Sequence, residues 1–424
     1  LVRAYIDKYR QFSVNARIFF LATSIARFAN GAFMAIYNIY LLGAGVPVSI
    51  IALLATVRLV AGSASSLPAG LVSDRLGYRR VIIASSFLVL FTQIGKVTTL
   101  SPGLLMGLAL FEGAAMTSRQ IAQAPFLAAN SGNEERTHLF SSLAAASNFT
   151  NMIGSTVGGF LPALFIASLG LTGSIGVEVM TMRWTLLLAS GVSALSVLPL
   201  FKLEDLQIEG TTAVGRRHLK TQLKQLASSG AVRALVITNA LIGLGAGMVI
   251  PLFNVFLTEH LGATTPQVGT IMAVSSVTLT VATLLGPTLV ENLGKVRTVA
   301  YCQLASLPFM IGMGFVPILP VVAVSSWLRS SSMNMANPVQ DAFTMEIVPD
   351  ESRATVSSLI RMGRSLARAF GVSLAGYMME HISYQSPYMI AVFIYALSSI
   401  WFLLAFSGKH PRKAGYSSSA TPQA

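Results

Sequence analysis

Seven arginines fall inside long apolar stretches of this chain: Arg27, Arg58, Arg119, Arg329, Arg361, Arg364 and Arg368. Two acids, Glu112 and Asp341, share those stretches with them. A charge held in an apolar setting is costly unless it is paired, so each one marks either a partner or a function. Guanidinium forks match the geometry of carboxylate and phosphate. The excess of arginine therefore points to an anionic ligand, with backbone carbonyls and water as the competing partners. An unpaired Glu112 could carry a proton.

Several of these charges lie on polar stripes with helical spacing. Thr23, Arg27, Asn30, Met34 and Asn38 fall within about 80° of arc on one helix. Glu112, Met116, Arg119 and Gln123 form a second stripe, and Arg329, Met333, Ala336 and Gln340 a third, with Asn337 beside it. A fourth segment is less polar, with Asn239 and Asn254 on either side of Gly243, Gly245 and Gly247. Arg361, Arg364 and Arg368 share one face of a further helix, where Asp341 and Glu346 are candidate partners for the first two.

Other chemistries lack their residues. No G-x-x-x-x-G-K-[ST] loop is present, so ATP hydrolysis is not expected. The single cysteine, Cys302, excludes a disulfide within the chain and a zinc–cysteine cluster. The histidines 138, 218, 260, 381 and 410 have no metal-ligand spacing. No nucleophile–base pair is apparent. The reading is a non-enzyme with no metal and no cofactor.

The elements that must position these stripes are legible from composition. Of 424 residues, 53% are hydrophobic and 11% charged, against roughly 25% charged in an average soluble domain. Mean hydropathy is +0.67. Twelve apolar spans follow, each near the ~20 residues that cross a bilayer, among them Arg17–Leu42, Trp184–Phe201 and Val232–Leu257. The fold expected is an all-α membrane protein. An even number of spans places both termini on one side. The 29 Lys and Arg concentrate in the termini and in the loops of that side, and the opposite loops keep Lys96 and Arg183. The positive-inside rule makes both termini cytoplasmic in a multi-pass protein of the plasma membrane. The net charge of +13 is thus a topology signal and not a nucleic-acid footprint. The lipid bilayer is the expected partner, and a monomer the expected state.

The chain also repeats. Offset by 216 positions, Tyr37-Asn38-Ile39-Tyr40-Leu41 falls on Phe253-Asn254-Val255-Phe256-Leu257, and Gly31 on Gly247. One further residue in the next loop makes the offset 217, which carries Gly77 onto Gly294, Gln123 onto Gln340, Gly154 onto Gly371 and Gly159 onto Gly376. The organisation expected is a segment 1–16, a six-helix half 17–201, a linker 202–230, a second half 231–406 and a disordered tail 407–424. In the linker, Leu219, Leu223 and Leu226 read as one face of an amphipathic helix. Two parallel, pseudo-symmetric six-helix bundles are a transporter architecture with solute held between them. At offset 217, Glu112 meets Arg329, so these two could pair across the pseudo-twofold; a pair with Arg119 on the same face competes.

The loop between spans 2 and 3 reads Gly70-Leu71-Val72-Ser73-Asp74-Arg75-Leu76-Gly77-Tyr78-Arg79-Arg80. It resembles the G-x-x-x-D-R-x-G-x-R-[RK] signature of the major facilitator superfamily. Gly286, Glu291, Gly294, Lys295 and Arg297 form a degraded copy in the second half. The resemblance implies a secondary carrier working by alternating access, with spans 1, 4, 7 and 10 around a central cavity. It implies that Gly70, Asp74, Arg75, Gly77 and Arg79, with Glu291 and Arg297, latch the cytoplasmic ends of the halves. The cavity residues are then Thr23, Arg27, Asn30, Asn38, Glu112, Arg119, Gln123, Asn239, Asn254, Arg329, Asn337 and Gln340, with Glu112 the candidate for proton coupling. Gly154-Ser155-Thr156-Val157-Gly158-Gly159 is similar to the G-P-x-x-G-G signature of exporters in this family, with Ser155 in place of proline; close helix packing explains the same residues. The solute expected is a small organic anion, with protons as a coupling ion. A proton-coupled exporter of drug-like compounds and a non-transporting, transporter-like receptor are the alternatives.

Overall fold

The computed structural model describes residues 12–171, 174–204, 229–348 and 353–407. The linker helix expected around Leu219–Leu226 lies outside these residues, as do most of the N-terminal segment and nearly all of the tail. The helices are α1 (Val14–Gly43), α2 (Val48–Leu76), α3 (Tyr78–Thr98), α4 (Pro102–Ala129), α5 (Asn133–Ser168) and α6 (Ile175–Leu195), then α7 (Gly230–Val249), α8 (Phe253–Glu259), α9 (Thr265–Leu293), α10 (Lys295–Phe315), α11 (Leu319–Ile347), α12 (Arg353–His381) and α13 (Ser386–Phe406).

Two spans differ most from the sequence expectation. The sixth span begins at Ile175, well before Trp184, and its end, Leu198–Lys202, is a 3-10 turn. The seventh span is broken into α7 and α8, because Pro251 has no N–H to continue the helix. Prolines also start helices here: Pro102, Pro266, Pro320 and Pro387 sit in the first turns of α4, α9, α11 and α13, where a missing N–H costs nothing.

Eight spans among the described residues are long and apolar enough to cross a membrane by length and composition. The four that fall short are α4, α9, α11 and α12, three of which carry the in-span arginines 119, 329, 361, 364 and 368. Large apolar side chains point outward, with Phe393 71% and Leu404 74% exposed. Such an outer surface suits lipid rather than water.

The repeat is visible in the packing. A Cβ added at Gly31 of α1 would lie 2.2 Å from the Asn151 carbonyl oxygen of α5. At the matching Gly247 of α7 it would lie 2.2 Å from that of Arg368 on α12. Gly154 meets the Phe28 carbonyl, and its counterpart Gly371 meets that of Leu244. In each half the same two helices therefore touch backbone to backbone. The α2–α3 and α9–α10 turns match as well, with Gly77 at φ +87° and Gly294 at φ +74°, a region that favours glycine.

The halves meet through two related seams. In one, Gly376 of α12 abuts Ala52 of α2; in the other, Gly159 of α5 abuts Gly269 of α9. The first seam is a polar ladder: the Ser49 backbone N–H donates to the Glu380 carboxylate (2.8 Å), the Thr56 and Ser373 hydroxyls bond each other (2.8 Å) and the Ser63 hydroxyl donates to that of Ser365 (2.8 Å). One apolar core cluster joins both halves on the side away from the termini, from Phe33 and Ile36 to Phe256 and Tyr388. On the termini side each half has a cluster of its own, around Phe19 and Phe126 in one and Phe343 and Phe402 in the other. The molecule is thus closed on its far side and divided on its termini side.

Candidate functional site

A cavity of about 390 Å³ opens in the first half between α1, α4 and α5. Arg27 and Gln123, each from one of the polar stripes, line it. Its remaining wall belongs to α5: Phe140, Leu143, Ala144, Ser147, Asn148 and Asn151. This helix was absent from the cavity set read from the sequence. The signal was present, since Ser147, Asn148 and Asn151 recur at helical spacing on one face. Arg27 is exposed into the opening, whereas Arg119 is half-buried within electrostatic reach of it. Asn30 is half-buried and Thr23 is 3% exposed; Asn30 Oδ1 and Thr23 Oγ1 have no hydrogen-bond partner among the described residues.

Glu112 does not pair across the cavity. Its Oε2 accepts from Lys96 Nζ at 2.5 Å, with both side chains buried. This replaces the expected partners Arg329 and Arg119, and it removes Lys96 from the loop where hydropathy placed it. Gly95 allows Leu108 of α4 to approach α3 closely, and Lys96 reaches about one turn further to Glu112. The Lys96 ammonium also sits 4.9 Å from the Tyr37 ring centroid, a cation–π distance. Arg58 is within electrostatic reach of the same pair and donates to Met34 Sδ at 3.7 Å. Glu112 is therefore an inner strut among α1, α2, α3 and α4, shielded from the opening.

The asparagines of spans 1 and 7 seal the far side. Asn38 Nδ2 donates to Asn254 Oδ1 (3.0 Å) and to the Pro251 carbonyl (2.9 Å), which the helix break leaves free. Asn254 in turn donates to the Ala35 carbonyl (3.3 Å). These two residues, equivalent in the repeat, hold the halves together here instead of lining the cavity. Asn239 is turned onto its own helix, donating to the Leu235 carbonyl (2.9 Å), and Asn337 donates to Asn334 Oδ1 (2.9 Å).

Span 10 behaves differently. Arg329 is 5% exposed; its Nη2 donates to Ser330 (3.3 Å), and its Nε finds no acceptor among the described residues. Gln340, also 5% exposed, leaves Nε2 without a partner, as does the Nε of Arg368. The expected acids are elsewhere. Asp341 is exposed and not buried, and Glu346 pairs with Lys295 rather than with α12.

In the α2–α3 loop, Gly70 is half-buried and Asp74 and Arg75 are exposed. Asp74 accepts from the Tyr78 hydroxyl (3.0 Å), and Arg79 donates to the Phe201 carbonyl (3.0 Å). These contacts stay within the first half. Arg297 is exposed on the matching loop, whereas the Glu291 side chain lies outside the described residues. The Gly154–Gly159 motif resolves into two packing roles. Gly154 and Gly158 seat α5 on α1, and Gly159 seats it on α9 of the other half.

A sequence profile of the Major Facilitator Superfamily matches residues 19–238 and then 235–422, one match for each half. No curated protein matches the chain in sequence. Among solved structures, the nucleoside transporter NupG superposes with a TM-score of 0.75 at 14% identity, over 93% of this chain and 100% of that one. A bacterial homolog of the human lysosomal transporter Spinster, inward-facing and occupied, gives 0.72 at 14% identity over 92% and 96%. A D-xylose–proton symporter gives 0.68 at 14% identity over 91% and 96%. At these identities the likeness is one of fold.

Proposed function

The chain belongs to the major facilitator superfamily and is a multi-pass secondary transporter of a small molecule, and from that premise we propose that its solute is an organic anion. One observation carries the reading. Glu112, an acid buried within the first half, is taken by Lys96. Arg27, Arg119, Arg329, Arg364 and Arg368 then have no carboxylate partner among the described residues. A guanidinium within a protein needs an anion or a full set of acceptors, and a carboxylate or phosphate offers the bidentate match. The names of the three structural relatives, which carry a nucleoside or a pentose or resemble a lysosomal transporter, supply no common solute.

The mechanism proposed is alternating access, with the halves 17–201 and 231–406 rocking on the α2–α12 and α5–α9 seams. The far-side closure by Asn38 and Asn254 and the divided termini side make this the state open toward the termini. The loop charges support that side as cytoplasmic in the plasma membrane. Asp74 and Arg75 would then engage the second half when the cavity closes on that side. If protons are coupled through Glu112, uptake must first part it from Lys96, so the proton step and a movement of α3 on α4 are one event. A monomer is sufficient for all of this.

Counterflow in proteoliposomes tests the reading, with pooled organic anions, neutral sugars and cationic dyes as three arms. Uptake of the anion pool alone supports it. Saturable uptake of a cationic dye, untouched by the anions, overturns it in favour of drug export. Binding without flux in any arm favours a receptor.

A further inference from the structure

The first-half cavity has two unlike ends. A Cβ at Gly154 of α5 would lie 2.0 Å from the Phe28 carbonyl oxygen of α1, and one at Gly158 2.5 Å from that of Ala32. The two contacts keep one register, so α1 and α5 run side by side in the same direction. At about 1.5 Å of rise per residue, Arg27 stands within about 3 Å of the level of Asn151 and roughly 20 Å beyond that of Phe140. The Phe126 and Phe19 rings, 5.5 Å apart, set α4 against α1. Gln123, about one turn further in on α4, then reaches the level of Asn148. The inner end is therefore polar, with Arg27, Gln123, Asn148 and Asn151. The outer end is apolar: Phe140 and Leu143 belong to the termini-side cluster around Phe19 and Phe126, and Ala144 lines the cavity beside them. About 16 Å of helix separates Phe140 from Asn151.

The polar groups of the inner end are unspent. The Gln123, Asn148 and Asn151 amides make no hydrogen bond among the described residues, whereas Asn239 and Asn337 turn onto their own helices. A side-chain amide both donates and accepts, while a bare carboxylate only accepts. These three amides therefore suit a head group that carries a donor beside its charge. Among the described residues Arg27 is the one charge in the lining, which suits a single negative charge. The volume of about 390 Å³ falls within the range of roughly 300–1,000 Å³ for organic ligands, more than an inorganic ion fills. A small hydrophilic anion at the inner end would leave the apolar end wetted, whereas an apolar group there gains by leaving water.

We propose that the solute is an amphiphilic monoanion. Its head is a carboxylate bearing an amide or hydroxyl, held by Arg27 with Gln123, Asn148 and Asn151. Its other end is an alkyl or aryl group laid along Phe140, Leu143 and Ala144 toward the termini side. The proposal rests on the organic-anion reading for the charge of the head, whereas the order of polar and apolar ends comes from the face of α5. That face then sets specificity at two places. The amides select the head, and the apolar stretch rewards length by about fourfold in affinity for each methylene that enters it.

The test is a chain-length series. The full chain, purified in detergent, is titrated with N-acetylglycinate, N-butanoylglycinate and N-hexanoylglycinate, and binding is read as thermal stabilisation. Each two-carbon step should tighten the apparent Kd by about tenfold or more. Ala144→Asn, which puts a polar group into the apolar end, should remove most of that gain; Phe140→Gln carries the same expectation should the first variant not insert. Asn148→Ala should weaken all three ligands by a similar factor, about fivefold for one hydrogen bond, with the gain per step kept. Affinity that ignores chain length, a gain that Ala144→Asn and Phe140→Gln leave untouched, as partition into detergent gives, or no saturable binding by the series overturns the proposal. The anion reading fails separately, if neutral N-hexanoylglycinamide binds as tightly as the glycinate while the gain and its loss in Ala144→Asn persist. Counterflow of small hydrophilic anions that N-hexanoylglycinate does not inhibit keeps the anion reading and overturns the amphiphile.

Discussion

Removing Lys96 alone should injure this protein more than removing both members of its pair. In Lys96→Met the apolar stem is kept and the ammonium is lost, leaving Glu112 with 0% exposure and neither oxygen bonded. Breaking a buried pair from one side costs about 3–5 kcal/mol, because the remaining charge has neither water nor partner. At about 2–4 °C of Tm for each kcal/mol in a unit of 150–250 residues, the expected loss is roughly 6–20 °C. Glu112→Leu should cost a similar amount, since it strands Lys96 beside Arg58. The double variant Lys96→Met/Glu112→Leu should recover most of the loss, because an apolar pair of similar volume replaces the ions at little net cost. The assay is thermal unfolding of the detergent-purified protein, arranged as a double-mutant cycle. Single variants within about 1 kcal/mol of wild type, or losses that simply add in the double variant, would refute the strut assigned to this pair. The cycle also bears on coupling. If Glu112 carries the transported proton, the double variant should fold well and lose gradient-driven accumulation while keeping exchange.

Three further outcomes are expected. Gly159→Ala should push α5 from α9, since its Cβ would lie 2.8 Å from the Gly269 Cα, and the far-side seam should become more accessible to a thiol reagent at an introduced cysteine; unchanged labelling would argue against this contact as part of the seal. Arg119→Lys and Arg329→Lys should raise the half-saturating anion concentration by roughly tenfold or more, as loss of a charged hydrogen bond of ~1.5–3 kcal/mol requires, whereas exposed Arg361→Lys should leave it near wild type; equal behaviour of all three would remove the first two from the solute site. Asp74→Asn should slow exchange with insertion intact, and wild-type rates in that variant would dissociate the α2–α3 loop from gating.

Much of this molecule follows from local pattern. Hydropathy over ~20 residues marks the spans because every one must satisfy its own backbone in lipid. The repeat needs only register, which is why Gly31, Gly154 and their partners Gly247 and Gly371 could be aligned before any contact was known. Helical periodicity gathered Arg27 with Thr23 and Gln123 with Arg119, since a stripe at 100° per residue is a property of one helix. The break after Val249 was also written in Pro251, although the apolar run on both sides hid it.

What tertiary structure alone decided lies between helices. Asn38 and Asn254 were read as cavity walls, and the structure makes them a seal, because whether equivalent residues face each other or the cleft depends on which way the halves are tilted. By sequence Glu112 could have met Arg329 or Arg119. The choice fell to Lys96 because Gly95 lets α3 approach Leu108 closely and a flexible lysine stem can reach back along the helix. The polar face of α5 was a stripe like the others, but only the placement of α5 beside α1 and α4 turned Ser147, Asn148 and Asn151 into a cavity wall. Periodicity is intrinsic to a helix and survives in its sequence, whereas relative height, tilt and rotation are set by contacts with neighbours that no local pattern encodes.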